Sequence, residues 1–420
     1  MGSLVRRYYL YRTSLSSGFY IPVSVIYMES NGLGLPEIGL VQGTFLFSMV
    51  VWELPTGYLG DRLGRRTALA LGSVVTVAVM TGFTLANSTF EFAVVYALWA
   101  VGWTFKTGTA DAWLYELLAI RDDKDEFSRI NGRADSALRL VSGGAALSAG
   151  LLYTVDPVLP FLANAALAAV GLPVLFTLPR TNGTHAGTAD AVGDGAPSAE
   201  ADPSAEADPS AEVDPSPIGV REAARILREQ LFRPSIRWIV AYAALFNLVF
   251  SVTRVFEQPA MRTVGVPVAG LGVLYAGFKL VSAIASSLTG AIHDRLGTRG
   301  VLFLLVPVVG ITYGAFAVVP VLLVPALFVR RGLQRITRPV RTEYVNDRVE
   351  DVGRATVLSG VSMALTLVSG TANVLGGRVA EAVGPVQFLS TVGVVVSLAA
   401  GLLWIGMRPV RDVSTDTAAS

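Results

Sequence analysis

The sequence of 420 residues contains no cysteine and only two histidines, His185 and His293. Disulfide bonds, thiolate catalysis and cysteine metal sites are therefore excluded, and two histidines leave little for a histidine metal site or proton relay. The sequence also lacks the nucleotide-binding pattern Gly-x-x-x-x-Gly-Lys-Ser/Thr and the Gly-x-Ser-x-Gly elbow of hydrolases. We therefore expect no cofactor, no bound metal, no enzymatic activity and no ATP-driven pumping.

Charge is also scarce, since only 15% of the residues are charged and 52% are hydrophobic. A soluble protein carries about 25% charged residues. The net charge of +1 gives no sign of a nucleic-acid partner. No small-residue cleavage site follows a short apolar core near the start, so we expect the first apolar segment to be a retained helix. These features predict an all-α integral membrane protein that contacts membrane lipids.

Twelve apolar segments are long enough to cross a bilayer, which takes roughly 20 residues each. The predicted spans are 8–28, 37–59, 67–86, 90–118, 134–153, 159–178, 236–257, 270–292, 301–318, 321–345, 355–379 and 386–405. They predict a six-helix bundle over 1–180 and a second bundle within 218–420.

The segment 181–217 between the bundles contains Ala-Asp-Pro-Ser-Ala-Glu twice and is acidic and rich in Pro and Ser. It has too little apolar surface to fold alone, so we interpret it as a disordered cytoplasmic linker, an inert spacer. The following segment, 218–232, has apolar residues at helical spacing with Arg between them. This pattern is typical of an interfacial helix on the membrane surface.

A short charged turn, Gly57–Arg66, separates two long apolar segments and recurs in weaker form as Gly290–Arg299. Both copies keep a Gly, an Asp, an Arg, a Gly and a final Arg at the same spacing, 233 residues apart. A repeated turn in a membrane chain indicates two related halves, as in transporters built from parallel repeats. A second repeat supports this: Gly143 and Gly150 are spaced as Gly370 and Gly377 are, which predicts close helix approaches.

Positive charge identifies the cytoplasmic side. Most basic residues outside the centres of the spans fall on the side that the twelve-helix prediction assigns to the repeated turns, while Arg262 and Arg378 are the exceptions on the other side. Both termini are therefore expected in the cytoplasm, and the protein in the cell membrane.

The first turn resembles the cytoplasmic loop motif of the major facilitator superfamily, G-x-x-x-D-R-x-G-R-R, at Gly57, Asp61, Arg62, Gly64, Arg65 and Arg66. The second copy has Thr298 where Arg is usual and keeps Gly290, Asp294, Arg295, Gly297 and Arg299. The resemblance covers nearly the whole chain except the linker. It implies a monomeric secondary active transporter that moves a small organic solute by alternating access.

The resemblance further suggests the branch of drug–proton antiporters, with protons as the coupling ion and export of a drug-like molecule. The fifth helix of those antiporters often carries a Gly-Pro-rich motif. This sequence has Gly143 and Gly144 there but no Pro, which departs from that branch.

The first turn can act as a gate. Asp61 can accept hydrogen bonds at the N-terminus of the facing helix near Ala355, where the helix dipole favours an anion. The three arginines of the motif can pair with Glu116 or Asp122. Such a latch would close the cytoplasmic side and hold an outward-facing state; the alternative is that the arginines only obey the positive-inside rule.

Charged residues inside the spans are costly and are functional candidates. Glu53, in the run Glu-Leu-Pro-Thr-Gly, and Asp111 are the candidates for proton coupling. Glu53 could equally be a hydrogen-bond anchor for the kinked helix end. Lys279 is expected to pair with an acid across its half, and Arg254 with Glu257 three residues on.

In the superfamily, the first, fourth, seventh and tenth helices line the cavity. The resemblance and the intramembrane charges together give nine candidate cavity residues: Arg12, Trp103, Lys106, Asn247, Phe250, Arg331, Gln334, Arg335 and Arg338. Trp103, Lys106, Ala110 and Trp113 are predicted to share one face of the fourth helix. Arg331, Arg335 and Arg338 form one stripe of the tenth helix and face water, acids or a substrate.

The Arg stripe leaves an alternative function open, the uptake or exchange of an organic anion. Acids at Glu53, Asp111 and Glu116 could instead neutralise much of this charge. A different class of function is a non-transporting receptor or scaffold on the same fold, with 181–217 as its docking segment.

Overall fold

The computed structural model describes residues 2–120, 123–180, 234–348, 354–407 and 409–410. The linker 181–217 and the predicted interfacial helix 218–232 lie outside these residues. In the first half, the helices are α1 Gly2–Ser14, α2 Ser24–Ser30, α3 Leu35–Leu63, α4 Arg65–Leu85, α5 Thr89–Lys106, α6 Thr109–Ala119, α7 Phe127–Val155 and α8 Leu159–Phe176. In the second half they are α9 Pro234–Thr263, α10 Val268–Phe303, α11 Leu305–Val318, α12 Leu323–Asn346, α13 Arg354–Val383 and α14 Pro385–Met407.

These helices form the twelve predicted spans, and no strand occurs within the described ranges. Eight of the helices are long and apolar enough to cross a membrane by themselves. The first and fourth spans are each broken into two helices, and α10 runs from the eighth span into the ninth through a kink at Gly297. The all-α fold of two six-helix halves is therefore confirmed.

The first span is not the continuous helix predicted over 8–28, because the chain leaves the helix after Ser14 and re-enters it at Ser24. Pro22 has no N–H to continue a helical ladder. The hydroxyl of Ser16 accepts the backbone N–H of Gly18 at 3.2 Å, which favours a turn. Hydropathy alone does not report such a break, since the intervening residues remain apolar enough to lie in a membrane.

The fourth span breaks at Gly108, whose φ of +73° is accessible to glycine but costly for other residues. The predicted common face of this span is therefore wrong. Trp113 is fully buried and Ala110 is nearly so, whereas Trp103, before the break, is 41% exposed. A residue with a left-handed backbone conformation between α5 and α6 changes the direction in which the side chains of α6 point.

Both halves use the same turn geometry. Gly64 and Gly297, which occupy the same place in the two copies of the motif, have φ of +82° and +64°. On the other side of the bundle, Gly32 and Gly265 have φ of +85° and +89° and are also 233 residues apart. Each of these glycines follows the end of a helix. The N–H of the residue after the glycine donates to the carbonyl oxygen five residues earlier, which is the pattern of a glycine C-cap. The conformation of the backbone thus supports the repeat.

The halves pack together chiefly through two pairs of helices, α3 with α13 and α7 with α10. Glycines allow the close approach: a Cβ at Gly150 would lie 2.6 Å from the carbonyl oxygen of Ala269, and one at Gly377 would lie 2.5 Å from that of Leu35. Gly143 has open space around it instead. The close contacts lie away from the two repeated turns. We call the side of these turns the motif side and the other the opposite side.

Towards the motif side, α3 and α13 diverge. Phe47 of α3 still meets α13, since a Cβ at Gly370 would lie 2.8 Å from its ring. The same stripe of α3 continues with Leu54 and Tyr58, which are 74% and 56% exposed. The halves are therefore closed against each other on the opposite side and separated on the motif side.

Candidate functional site

A central cavity of about 290 Å³ lies between the two halves. The predicted first, fourth, seventh and tenth spans contribute to it, and so do the second, fifth and eighth, through α3, α7 and α10. Five cationic side chains line this cavity: Arg139, Arg254, Lys279, Arg331 and Arg335. These charges therefore face a space between the halves rather than a packed core.

Glu257 is the carboxylate among the described residues that line the cavity. It is fully buried, and its Oε2 accepts a hydrogen bond from Arg330 at 2.7 Å. Its Oε1 accepts from Arg331 at 2.5 Å and from the hydroxyl of Tyr275 at 2.6 Å. Both carboxylate oxygens are thus engaged, and the single charge of Glu257 is shared between the buried Arg330 and Arg331 of the cavity lining.

The cations come from both halves. Arg139 of α7 lies within electrostatic range of Lys279 on α10 and Arg335 on α12. Arg331 is held over the rings of Phe278 and Tyr275, with its guanidinium carbon 5.1 and 5.8 Å from the ring centroids. Like charges thus face one another across the gap between the halves.

The wall that the first half contributes is aromatic. Trp99 packs against Phe45 with ring centroids 4.7 Å apart, and against Tyr96 and Tyr20 at 5.2 and 5.4 Å. The hydroxyl of Tyr96 accepts a hydrogen bond from Gln42 at 3.2 Å. Trp99 thus packs edge-to-face with Tyr96 and Tyr20. It remains partly exposed and lines the cavity.

Gln258 of α9 connects the cavity to the broken first span. Its Nε2 donates to the carbonyl of Ile21 at 2.8 Å, and its Oε1 accepts the N–H groups of Val25 and Ile26 at 3.0 and 3.3 Å. A break inside a membrane span leaves backbone groups that need partners. A side chain of the second half therefore satisfies the backbone of the first half, next to the cavity.

Two of the nine predicted cavity residues, Arg331 and Arg335, are among the residues that line this cavity. The other seven are outside this lining. Asn247 donates hydrogen bonds to α13, at the carbonyl of Leu365 and the hydroxyl of Ser369. Phe250 is buried, and its carbonyl accepts from Arg330 at 3.4 Å.

Three others lie nearer the motif side, and Gln334 lies between the two lining arginines of α12. Lys106 donates to the hydroxyl of Thr76 at 2.6 Å, between α5 and α4. Trp103 continues the stripe of Trp99 by one helical turn. Gln334 is half-buried, and Arg338 is exposed one turn beyond Arg335.

The two candidates for proton coupling lie outside the lining of the cavity. Glu53 is exposed on α3. Asp111 is half-buried and lies 3.5 Å from Arg12, another predicted cavity residue. Arg12 also forms an ion pair with Asp135 of α7, so that one cation lies between two carboxylates.

In the first copy of the motif, Arg65 connects two carboxylates. Its Nη1 lies 2.9 Å from Asp61 and its Nε donates to Glu116 of α6 at 3.2 Å. The Asp61 side chain is 66% exposed. In this conformation Asp61 is engaged within its own half, four residues from its partner.

The other arginines of the first copy also contact their own half. The guanidinium of Arg62 lies 4.5 Å from the ring centroid of Tyr58. Arg66 donates to the carbonyl oxygen of Phe176 at 2.5 Å. Gly57 is exposed, with open space around the position of a Cβ.

In the second copy, Thr298 is hydrogen-bonded to His293 at 3.0 Å. The guanidinium of Arg299 lies 6.0 Å from the ring centroid of Trp404, close to the end of α14. Asp294 and Arg295 are exposed. The second copy therefore shares the backbone of the first but not its carboxylate pairs.

The expected pairing of Arg254 with Glu257 is wrong, as is the expected pairing of Lys279 with an acid. Arg254 faces the cavity, and Glu257 is taken by arginines of α12, which a helical spacing within α9 cannot reveal. Arg139 was missed altogether. It is a cation inside the predicted span 134–153, so the rule that singled out Lys106 also applies to it.

The family model for the Major Facilitator Superfamily matches residues 13–329. The uncharacterized MFS-type transporter YhjO of Bacillus subtilis is 30% identical over 176 residues, which cover 41% of this chain and 43% of that protein. The uncharacterized MFS-type transporter MJ1317 of Methanocaldococcus jannaschii is 29% identical over 126 residues, 30% of this chain and 31% of that one. The matches thus span less than half the length of these curated relatives.

Among solved structures, the crystal structure of the nucleoside transporter NupG is similar, with a TM-score of 0.74. The similarity covers 97% of this chain and 98% of that chain, at 13% sequence identity. At that identity the likeness shows a shared fold and carries no information on substrate.

Proposed function

The chain belongs to the major facilitator superfamily of membrane transporters, and we propose that its cargo is a small organic anion bound in the central cavity. It is a multi-pass membrane transporter rather than an enzyme. The cell membrane and a cytoplasmic motif side are part of the proposal, supported by the basic residues of that side. The described conformation is then inward-facing.

The positive charge of the cavity lining is the observation that supports this proposal. Five cationic side chains line it, against one carboxylate whose two oxygens are already engaged. A cleft that is lined by charges of one sign and has low-dielectric walls concentrates ions of the opposite charge. A positively charged cavity therefore favours an organic anion and disfavours the apolar cations that many drug exporters carry.

Transport would follow from rocking one half against the other. The α3–α13 and α7–α10 contacts on the opposite side would open, and the motif side would close. In that state Asp61 would exchange Arg65 for the N-terminus of α13, where the dipole favours an anion. The gate is thus proposed to consist of Asp61, Arg65 and Glu116.

A proton-coupled version of the same transport is the second candidate. It is supported by Arg12, which lies between the carboxylates Asp111 and Asp135. Protonation of one of these two acids would change the charge of the cluster and the strength of its pairing with Arg12. Asp111→Asn would then remove the dependence of flux on a pH gradient while leaving anion binding intact.

The test is release from proteoliposomes loaded with an equimolar mixture of small organic anions, cations and neutral compounds, followed by mass spectrometry. We expect loss of anions only, relative to protein-free liposomes, and no loss with the double variant Arg331→Ala, Arg335→Ala. Arg237→Ala, an exposed arginine stacked on Trp238, is the matched control. Release of cations, or of nothing, would contradict anion transport and would favour drug export or a receptor.

A further inference from the structure

The two walls of the central cavity differ in chemistry. Four of the five cations belong to the second half, on α9, α10 and α12. The first half contributes Arg139 and an aromatic wall formed by Phe45, Tyr96 and Trp99. A ligand that fills the space between the walls therefore meets charge on one side and ring faces or edges on the other.

The cavity is also small. Its volume of about 290 Å³ is at the lower limit of ordinary ligand pockets, which run from roughly 300 to 1,000 Å³. A single ring with one or two charged groups fits within this volume. Arg331 is held in place by Glu257 and by the ring of Phe278, so little side-chain freedom is lost when it binds a ligand.

We propose that the transported anion is a small aromatic carboxylate or dicarboxylate. Its ring packs on Trp99 of the first half, and its charged end pairs with Arg331 and Arg335 of the second half. This inference rests on the proposed function, because it specifies which anion the same cavity takes. The substrate would contact both halves at once through two different kinds of interaction.

The test is binding to the purified full chain, measured by isothermal titration with four probes. These are benzoate, phthalate, cyclohexanecarboxylate, which has the charge without the aromatic ring, and benzamide, which has the ring without the charge. We expect phthalate and benzoate to bind about 3- to 10-fold more tightly than cyclohexanecarboxylate, since an aromatic pair adds about 0.5–1.5 kcal/mol. Benzamide should not bind.

Trp99→Leu should reduce the affinity for benzoate to that for cyclohexanecarboxylate, and Trp99→Phe should retain most of it. Trp52→Leu, at an exposed tryptophan of α3, is the control. Equal affinity of the aromatic and saturated probes, lost in Arg331→Ala, would overturn the aromatic inference and leave anion transport standing. Failure of all the carboxylates to bind would overturn the inference, and the mass-spectrometric release assay would then decide anion transport by itself.

A second inference comes from a different contact, on the opposite side. Helix α3 begins at Leu35, and its N-cap, Gly34, has no side chain to cap it. The N–H of Leu35 donates instead to Oε2 of Glu381, near the end of α13, at 3.3 Å. A carboxylate of one half thus lies at the N-terminus of a helix of the other half, where the dipole favours an anion.

We infer that Glu381 is the latch of the opposite side. The arrangement mirrors the one proposed for Asp61, which ends α3 and would meet the N-terminus of α13 when the motif side closes. The same pair of helices then carries one carboxylate latch at each end. Each latch is engaged in only one of the two states.

The test uses the absence of native cysteine. Spin labels at Asn87→Cys and Val319→Cys, exposed positions of the two halves on the opposite side, report their separation. Glu381→Gln should raise the ratio of opened to closed protein by roughly 3- to 10-fold, since it weakens a hydrogen bond to a charged group. Asp156→Asn, at an acid that caps Val158 within one half, should leave the distances unchanged. An unchanged distribution in Glu381→Gln would overturn the latch.

Discussion

At the scale of single residues, stability and the arrangement of the cavity depend on which partner neutralises each buried charge. Glu257 and Arg330 are both at most 1% exposed, and they belong to different helices. A buried charge that loses its partner is costly, because the low-dielectric surroundings cannot solvate it. The same carboxylate also pairs with Arg331 at the edge of the cavity, so one residue contributes to the stability of the half and to the position of a proposed binding group.

Glu257→Gln should therefore destabilise the protein by about 3–5 kcal/mol, because Arg330 would remain buried without a counter-charge. Thermal unfolding of the detergent-solubilised protein measures this. Glu343→Gln, at an exposed acid of α12, should change stability by less than about 0.5 kcal/mol. A Glu257→Gln protein as stable as the control would show that the Glu257–Arg330 pair is not required.

Part of this site could be predicted from the sequence. Helical spacing put Arg331 and Arg335 on one stripe, and both line the cavity. Their partner could not be deduced, because Glu257 lies about seventy residues away on another helix and the nearest cation in sequence, Arg254, offered a local explanation. Contacts between helices depend on packing, which a single sequence does not specify.

At the scale of helices, length and hydropathy predicted all twelve spans but not the interruptions inside them. The breaks after Ser14 and at Gly108 occur in stretches that remain apolar, so hydropathy does not mark them. The glycine spacing was more informative. Gly150, Gly370 and Gly377 lie where the halves touch, whereas Gly143 has nothing within 4 Å.

Gly150 and Gly143 give a matched pair of variants on α7. A Cβ at Gly150 would lie 2.6 Å from a backbone oxygen of α10, which cannot move aside as a side chain could. Gly150→Ala should therefore disfavour the closed opposite side and lengthen the distance between labels at Asn87→Cys and Val319→Cys. Gly143→Ala should leave that distance unchanged and stabilise the helix slightly. Equal behaviour of the two variants would contradict close packing at Gly150.

At the scale of the whole molecule, the two halves carry like charges towards each other. Arg139 faces Lys279 and Arg335 across the gap. Closing the motif side without a ligand would bring these cations together as water leaves the gap. An anion would remove the repulsion, so under the proposed function the charge that attracts the substrate would also couple its binding to the closing of the transporter.

Arg139→Ala should therefore increase the fraction of ligand-free protein that is closed on the motif side. Spin labels at Leu63→Cys and Leu296→Cys, exposed near the two copies of the motif, measure it as a population at shorter distance. Arg237→Ala should show no such population. The same distribution in Arg139→Ala as in the unmodified protein would mean that repulsion does not limit closing.

The most direct test of the account is a thermal-shift screen of the purified protein against a library balanced between anions, cations and neutral compounds. A ligand that binds the folded state raises the melting temperature. The account predicts that the stabilising compounds are organic anions and that their effect is lost in Arg331→Ala but kept in Arg237→Ala. Stabilisation by cations or neutral compounds, or by anions that still stabilise Arg331→Ala, would contradict it.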